Sequence, residues 1–162
     1  MKKLLFTLMP TTIVSLLVGC ATASMALHEG IVQDNEQVIV ESLGKGANPN
    51  DVANYGDDYT KPALMLAVEK GDVDTVKVLL AGGANTEARF TRDHNQTILQ
   101  RAVLFGHIDV IRVLLAKGAK INAKDGNKCT ALDEAQGFRI DSEIRKLLKA
   151  SGGRCGCGGI CN

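Results

Sequence analysis

The stretch Gly71–Asn85, GDVDTVKVLLAGGAN, returns 35 residues later as GHIDVIRVLLAKGAK, Gly106–Lys120, with eight of fifteen positions identical. A period of this length constrains the fold more than any other feature of the chain. Each copy is one supersecondary unit that cannot bury its apolar face alone, so units must stack on one another. The repetition extends beyond that stretch. Leu64, Leu99 and Leu132 are spaced 35 and 33 apart, and Ala67, Ala102 and Ala135 keep the same spacings. So do the triplets Val76/Leu79/Leu80, Ile111/Leu114/Leu115 and Ile144/Leu147/Leu148.

Within a unit the pattern is a short helix, a Gly or polar break, a second helix and a Gly-rich loop. Apolar residues at i, i+3 and i+4 place one face of the second helix against a neighbour. Gly83 and Gly118 follow these helices, where a positive φ ends the helical run. Aromatics make up 4% of the chain and Trp is absent, so the core must come from Leu, Val, Ile and Ala, which suits helix-on-helix packing. With 45% apolar and 23% charged residues the balance is that of a globular protein. A net charge of +1 carries no basic footprint for nucleic acid.

These units resemble ankyrin repeats, whose pattern opens T-P-L-H-x-A, links its helices with G-H and closes L-L-x-x-G-A-x-x-N. Thr97-Ile98-Leu99 and Thr130-Ala131-Leu132 match the opening, Gly106-His107 the link, and Leu114 to Asn122 the close in full. Leu79 to Ala84 matches with Glu87 where Asn is usual, and Leu27-His28 with Ile39, Leu43, Gly46-Ala47 and Asn50 forms a weaker first unit. The resemblance implies an all-α repeat fold, an ankyrin solenoid of about four helix-turn-helix units with β-hairpin-like loops. The units fall near 24–60, 61–95, 96–128 and 129–151 within a repeat domain of 20–151, followed by a Gly/Cys-rich tail at 152–162. Glu41 and Lys146 stand where the inner units have Val78 and Val113, as expected of terminal repeats with an open face. The opening His is kept only as His28; Met65, Gln100 and Asp133 replace it, which puts some inter-repeat bonding in question.

The first 19 residues read as an export signal. Lys2 and Lys3 precede an apolar run, Leu4 to Val18, that is shorter than the ~20 residues of a membrane span. It ends Leu17-Val18-Gly19-Cys20, which resembles the lipobox of bacterial lipoproteins. The resemblance implies cleavage after Gly19 and lipidation of the Cys20 thiol, leaving 143 residues of net charge −1. Ala21, rather than Asp, after the lipidated Cys implies sorting to the outer membrane, on its periplasmic face. The alternative is an ordinary signal peptide cut after Ala23 or Ala26, with Cys20 discarded.

Catalytic machinery is not evident. There is no metalloprotease, phosphate-loop or nucleophile-elbow motif, and the Asp57-Asp58 pair has too few oxygen ligands for calcium. His107 and His28 fall on structural family positions, and His94 lies in a loop. The sequence therefore points to no enzyme and no cofactor, but to a monomeric module with an unknown protein partner and a membrane anchor.

Two surfaces could bind that partner. The loops from Gly46 to Leu64 and from Gly83 to Leu99 are the longest fingers and carry Tyr55, Tyr59, Phe90 and Arg92, residue types enriched at binding hot spots. By the family pattern the residues before each link face the groove: Glu69-Lys70, then Leu104-Phe105, then Gly137-Phe138. Leu104, Phe105 and Phe138 would form an apolar patch there. With Cys20 lipidated, Cys129, Cys155, Cys157 and Cys161 remain, as two disulfides, a soft metal site or free thiols. The readings that follow are a lipid-anchored protein-binding module of the cell envelope, an immunity protein that neutralises a delivered toxin, or a metal-binding or thiol-redox lipoprotein acting through its tail.

Overall fold

The computed structural model describes residues 23–54, 60–90, 94–136 and 142–158. Among them are eight helices in pairs: α1 (Ala23–Val32) with α2 (Glu36–Gly44), α3 (Ala63–Lys70) with α4 (Val73–Ala81), α5 (Ile98–Leu104) with α6 (Ile108–Ala116), and α7 (Ala131–Glu134) with α8 (Ser142–Ala150). The first helices of the pairs stack in one layer, α1 on α3 on α5 on α7, and α2, α4 and α6 form a second layer. Antiparallel fingers project between the pairs. β1 (Val52–Asn54) pairs with β2 (Thr60–Pro62), Val52 opposite Pro62, and β3 (Arg89–Phe90) pairs with β4 (Gln96–Thr97), Phe90 opposite Gln96. No described helix is long and apolar enough to cross a membrane.

The sequence dictates the helix starts locally. The side chains of Asn35 and Asp72 accept from the amides of Val38 (3.2 Å) and Thr75 (3.0 Å) and cap α2 and α4. Thr97 with Gln100, and Thr130 with Asp133, form capping boxes at α5 and α7. The link between α3 and α4 needs Gly71. Its φ is +75°, and a Cβ there would stand 2.6 Å from the His107 ring of the next unit. His107 uses that space to reach the Glu69 carbonyl with Nε2 at 3.1 Å.

The core follows the repeat. Leu27, Leu64, Leu99 and Leu132 are buried along the first layer, with Ala67, Ala102 and Ala135 beside them, while Val76, Leu79, Ile111 and Leu114 fill the space between the layers. Each second helix ends alike. Gly46, Gly83, Gly118 and Gly152 all have φ between +85° and +91°. The amides that follow, of Ala47, Ala84, Ala119 and Gly153, donate five residues back to Ser42, Leu79, Leu114 and Leu148 at 2.9–3.0 Å.

That hydrogen bond corrects the register of the last unit. Leu148, not Leu147, is the counterpart of Leu114, so the offset there is 34 rather than 33. Lys146 therefore corresponds to Arg112, and Leu147 takes the place of Val113. The residue altered for the end of the stack is Arg145, in place of Ile111. Its guanidinium donates to the Ala135 carbonyl from Nε (3.1 Å) and Nη2 (3.0 Å). In the inner units the matching carbonyls of Ala67 and Ala102 accept the link amides of Asp72 and His107. At the other end Glu41 is exposed and pairs with Lys45 at 2.6 Å.

The departures from the family pattern are also accommodated. His28 contacts the Lys61 carbonyl of the next unit through Nε2 at 3.2 Å, and Gln100 donates to the equivalent carbonyl of Cys129 at 3.0 Å. Met65 has no such group and is simply buried. Asn50 clamps the next loop by donating to the Gly83 carbonyl (3.1 Å) and accepting from the Asn85 amide (2.7 Å), and Asn122 does the same with Gly152 and Arg154. Glu87, an acceptor only, makes half of the clamp, taking the Lys120 amide at 2.9 Å.

Candidate partner-binding surface

Counted from the buried leucine of each first helix, Val32, Glu69 and Leu104 occupy one groove position, and Lys70 and Phe105 the next. Their environments differ sharply. Leu104 and Phe105 are each 45% exposed and Val32 46%. Glu69 and Lys70, expected as solvated groove residues, are instead occupied. Lys70 donates to the carbonyls of Ile31 (2.8 Å) and Val32 (3.2 Å) and pairs with Asp34, so its charge sits at the C-terminal end of α1, where the helix dipole favours a cation.

Glu69 lies at the centre of a partly buried network. Its carboxylate pairs with Lys61 and with Arg101, which donates from Nε at 3.2 Å and also from Nη2. The side chains of Glu69, Lys61 and Arg101 are only 11%, 12% and 7% exposed. Arg101 Nη1 donates onward to Gln96 Oε1 (3.2 Å), and Gln96 Nε2 donates to Glu134 (2.8 Å), so the network ties three units together. Burial pushes the Glu134 carboxyl above its ordinary value, the Gln96 hydrogen bond opposes that rise, and Asp125 adds to it.

The same guanidinium meets two rings. Arg101 Cζ lies 4.8 Å from the Phe90 centroid and 5.2 Å from that of Phe105. Phe105 also stacks on the His107 ring, 6.1 Å away and 8° from parallel. Its exposed edge is therefore held from two sides.

Phe90 does not belong to the binding surface expected for it. It is 2% exposed and lies in the core, with the Lys61 ammonium 5.6 Å above its ring. Phe90 is a strand residue at the base of the finger, and its ring turns inward to face both Lys61 and Arg101. Tyr55, Tyr59, Arg92 and Phe138, like Cys20 and Cys161, lie outside the described residues. Leu104 and Phe105 are thus the expected contact residues found exposed. Arg101 was not singled out from sequence, although a signal was present: it is a charged residue between Gln100 and Ala102, two positions that the repeat buries.

The tail is less separate from the repeats than its composition suggests. Gly152 to Arg154 complete the last unit's loop, and half-buried Cys155 fills the place of Ile121 against the core. The Thr130 hydroxyl donates to the Arg154 carbonyl (2.6 Å), and the Gly156 amide donates to Asp133 (2.7 Å). A Cβ at Gly156 would stand 2.3 Å from the Lys128 carbonyl, so only glycine fits. Burial alone would raise the Asp133 carboxyl, but hydrogen bonds from the backbone amides of Thr130, Gly156 and Cys157 outweigh it and hold the group below its ordinary value. Cys129 and Cys157 form a disulfide, 28 residues apart in sequence, and Cys155 is disulfide-bonded as well. A disulfide sulfur offers no thiolate to a metal, so in this state these cysteines are not soft ligands.

A family model of ankyrin repeats, in three copies, matches residues 27–125, more than half of the chain. No curated protein matches it. Paired helices joined at glycine links, fingers between the pairs and asparagine clamps from loop to loop agree with that match, and the chain belongs to the ankyrin repeat family.

Proposed function

We propose that this chain is a lipid-anchored ankyrin module that binds a protein partner in the bacterial cell envelope, with Leu104 and Phe105 at the centre of the contact. Ankyrin repeats are a non-catalytic protein-interaction fold. The observation that carries the reading is the exposure of Leu104 and Phe105 on the groove, with Phe105 held by Arg101 and His107. A large aromatic already fixed in place loses little side-chain freedom on binding, which is what a hot spot requires. Leu17-Val18-Gly19-Cys20 supports the anchor, and the Cys129–Cys157 disulfide supports export to an oxidising compartment.

The test is affinity capture from detergent-solubilised envelopes. Phe105→Ala is expected to weaken capture of the partner at least ~30-fold, in line with loss of an aromatic hot spot worth about 2 kcal/mol. Because the ring is half-exposed, the melting curve should move little. Capture equal to wild type would remove Phe105 from the interface. The anchor has its own readout. Cys20→Ser cannot form the thioether and should abolish incorporation of a labelled fatty acid; undiminished labelling would overturn the lipobox reading.

A further inference from the structure

The tail stands where a fifth unit would stack. Gln100 sends its side chain to the chain of the following unit, at the Cys129 carbonyl. Asp133, at the same position one unit on, accepts the Gly156 amide of the tail. Thr130, at the start of the same helix, donates to the tail at Arg154. Residues 155–158 therefore cover the end face of the solenoid in place of a neighbour.

Gly153 and Arg154 are fixed by the helix-ending bond to Leu148 and by the Asn122 clamp. Beyond Arg154 the tail is held by the Gly156 and Cys157 amides on Asp133, by Gln136 donating to Cys155 Sγ (3.0 Å), by the packing of Cys155 against the core and by its disulfides. It is rich in glycine, which loses the most backbone freedom on ordering. Cys157 is exposed and Cys129 half-buried, so a reductant reaches the bond from the Cys157 side.

We propose that the Cys129–Cys157 disulfide is a redox-operated latch, and that its reduction by a dithiol releases residues 155–158 from the end face while the repeats stay folded. One thiolate of the dithiol attacks Cys157 Sγ, the S–S bond breaks, and Cys129 leaves as a thiolate. The second thiol attacks the mixed disulfide, closes the reductant's own disulfide and expels the Cys157 thiolate. Two electrons pass to the protein sulfurs, and the two protons that the dithiol gives up protonate them. The release takes the Gly156 amide off the Asp133 carboxylate, while Thr130 keeps its bond to Arg154.

Amide hydrogen exchange on the full chain, oxidised and after dithiothreitol, tests this. In the reduced protein the Gly156 amide should lose protection at least ~tenfold, while amides within α3 to α6 change by less than about twofold. Cys129→Ser should reproduce that loss in the oxidised protein and make Gly156 insensitive to dithiothreitol. Unchanged protection at Gly156 after reduction would show that hydrogen bonds alone hold the tail. Loss of protection throughout α3 to α6 would make the bond a staple of the whole fold rather than a latch. A Cys129→Ser protein that keeps its protection until dithiothreitol is added would assign the hold to the Cys155 disulfide. Each of these three results overturns the proposal.

Discussion

Glu69→Ala is expected to cost about 3–5 kcal/mol of folding stability, the usual penalty for removing one partner of a buried ion pair. Glu69 neutralises two cations at once, Lys61 and Arg101, and all three side chains are at most 12% exposed. Without it Arg101 keeps its hydrogen bond to Gln96, and both cations keep the face of Phe90. A ring quadrupole contributes ~0.5–2 kcal/mol and does not offset a buried guanidinium. Natural domains hold only 5–15 kcal/mol in total, so the variant should show a much lower urea midpoint. Glu69→Gln, which keeps an acceptor but not the charge, should fall between. Replacing Arg101 and Glu69 together by apolar residues should recover part of the loss, because the penalty lies in the unpaired charge. A loss below about 1 kcal/mol for Glu69→Ala would mean that water reaches the cluster and that it behaves as a surface pair.

The disulfide bears on stability as well as on the tail. Closing a loop of 28 residues removes about 3–4 kcal/mol of chain entropy from the unfolded state in the loop-closure description. The loop spans the last helix pair, α7 and α8, of which α7 has only four residues. Among the described residues the last unit has the least helix, and the crosslink offsets the weakness of a terminal repeat.

The architecture was legible in the sequence because it rests on short-range regularity. The buried leucine and alanine of each first helix, the glycine after each second helix and the asparagine clamps recur at nearly constant offsets, and each stands for one local physical requirement. The groove position of Leu104 and Phe105 followed from the same offsets. The Glu69–Arg101 pair did not, because its members sit at different positions in neighbouring units and meet only once the stacking distance is set. Phe90 was misjudged for a related reason. A finger residue reads as a tip, and only the neighbouring cations show that its ring is needed at the base. The structural role of the tail was hidden by composition: glycine density argues against a helix, but not against an irregular segment fitted over Lys128, Thr130 and Asp133.

The register of the fourth unit shows where periodicity misleads. Ile144, Leu147 and Leu148 satisfy the apolar triplet at an offset of 33, as Leu132 and Ala135 do, yet the second helix is shifted by one residue. Two adjacent leucines make the two alignments almost equally good in sequence, and the backbone bond from Gly153 to Leu148 separates them. Truncation by alanine should separate them as clearly. Leu114 is fully buried between units, and Leu114→Ala is expected to cost about 2–5 kcal/mol, with a lower thermal midpoint. In a stack that loss passes to the neighbouring units, so α4 and α8 should lose exchange protection together with α6. Leu148 is buried as completely, and Leu148→Ala should carry a cost of the same order. Leu147 is only half-buried, at the place of Val113, and Leu147→Ala should cost about 1 kcal/mol or less, since its site remains open to water. A reversed order, with Leu147→Ala the more damaging, would return the last helix to the 33-residue register and detach Gly152 to Arg154 from the last unit's loop.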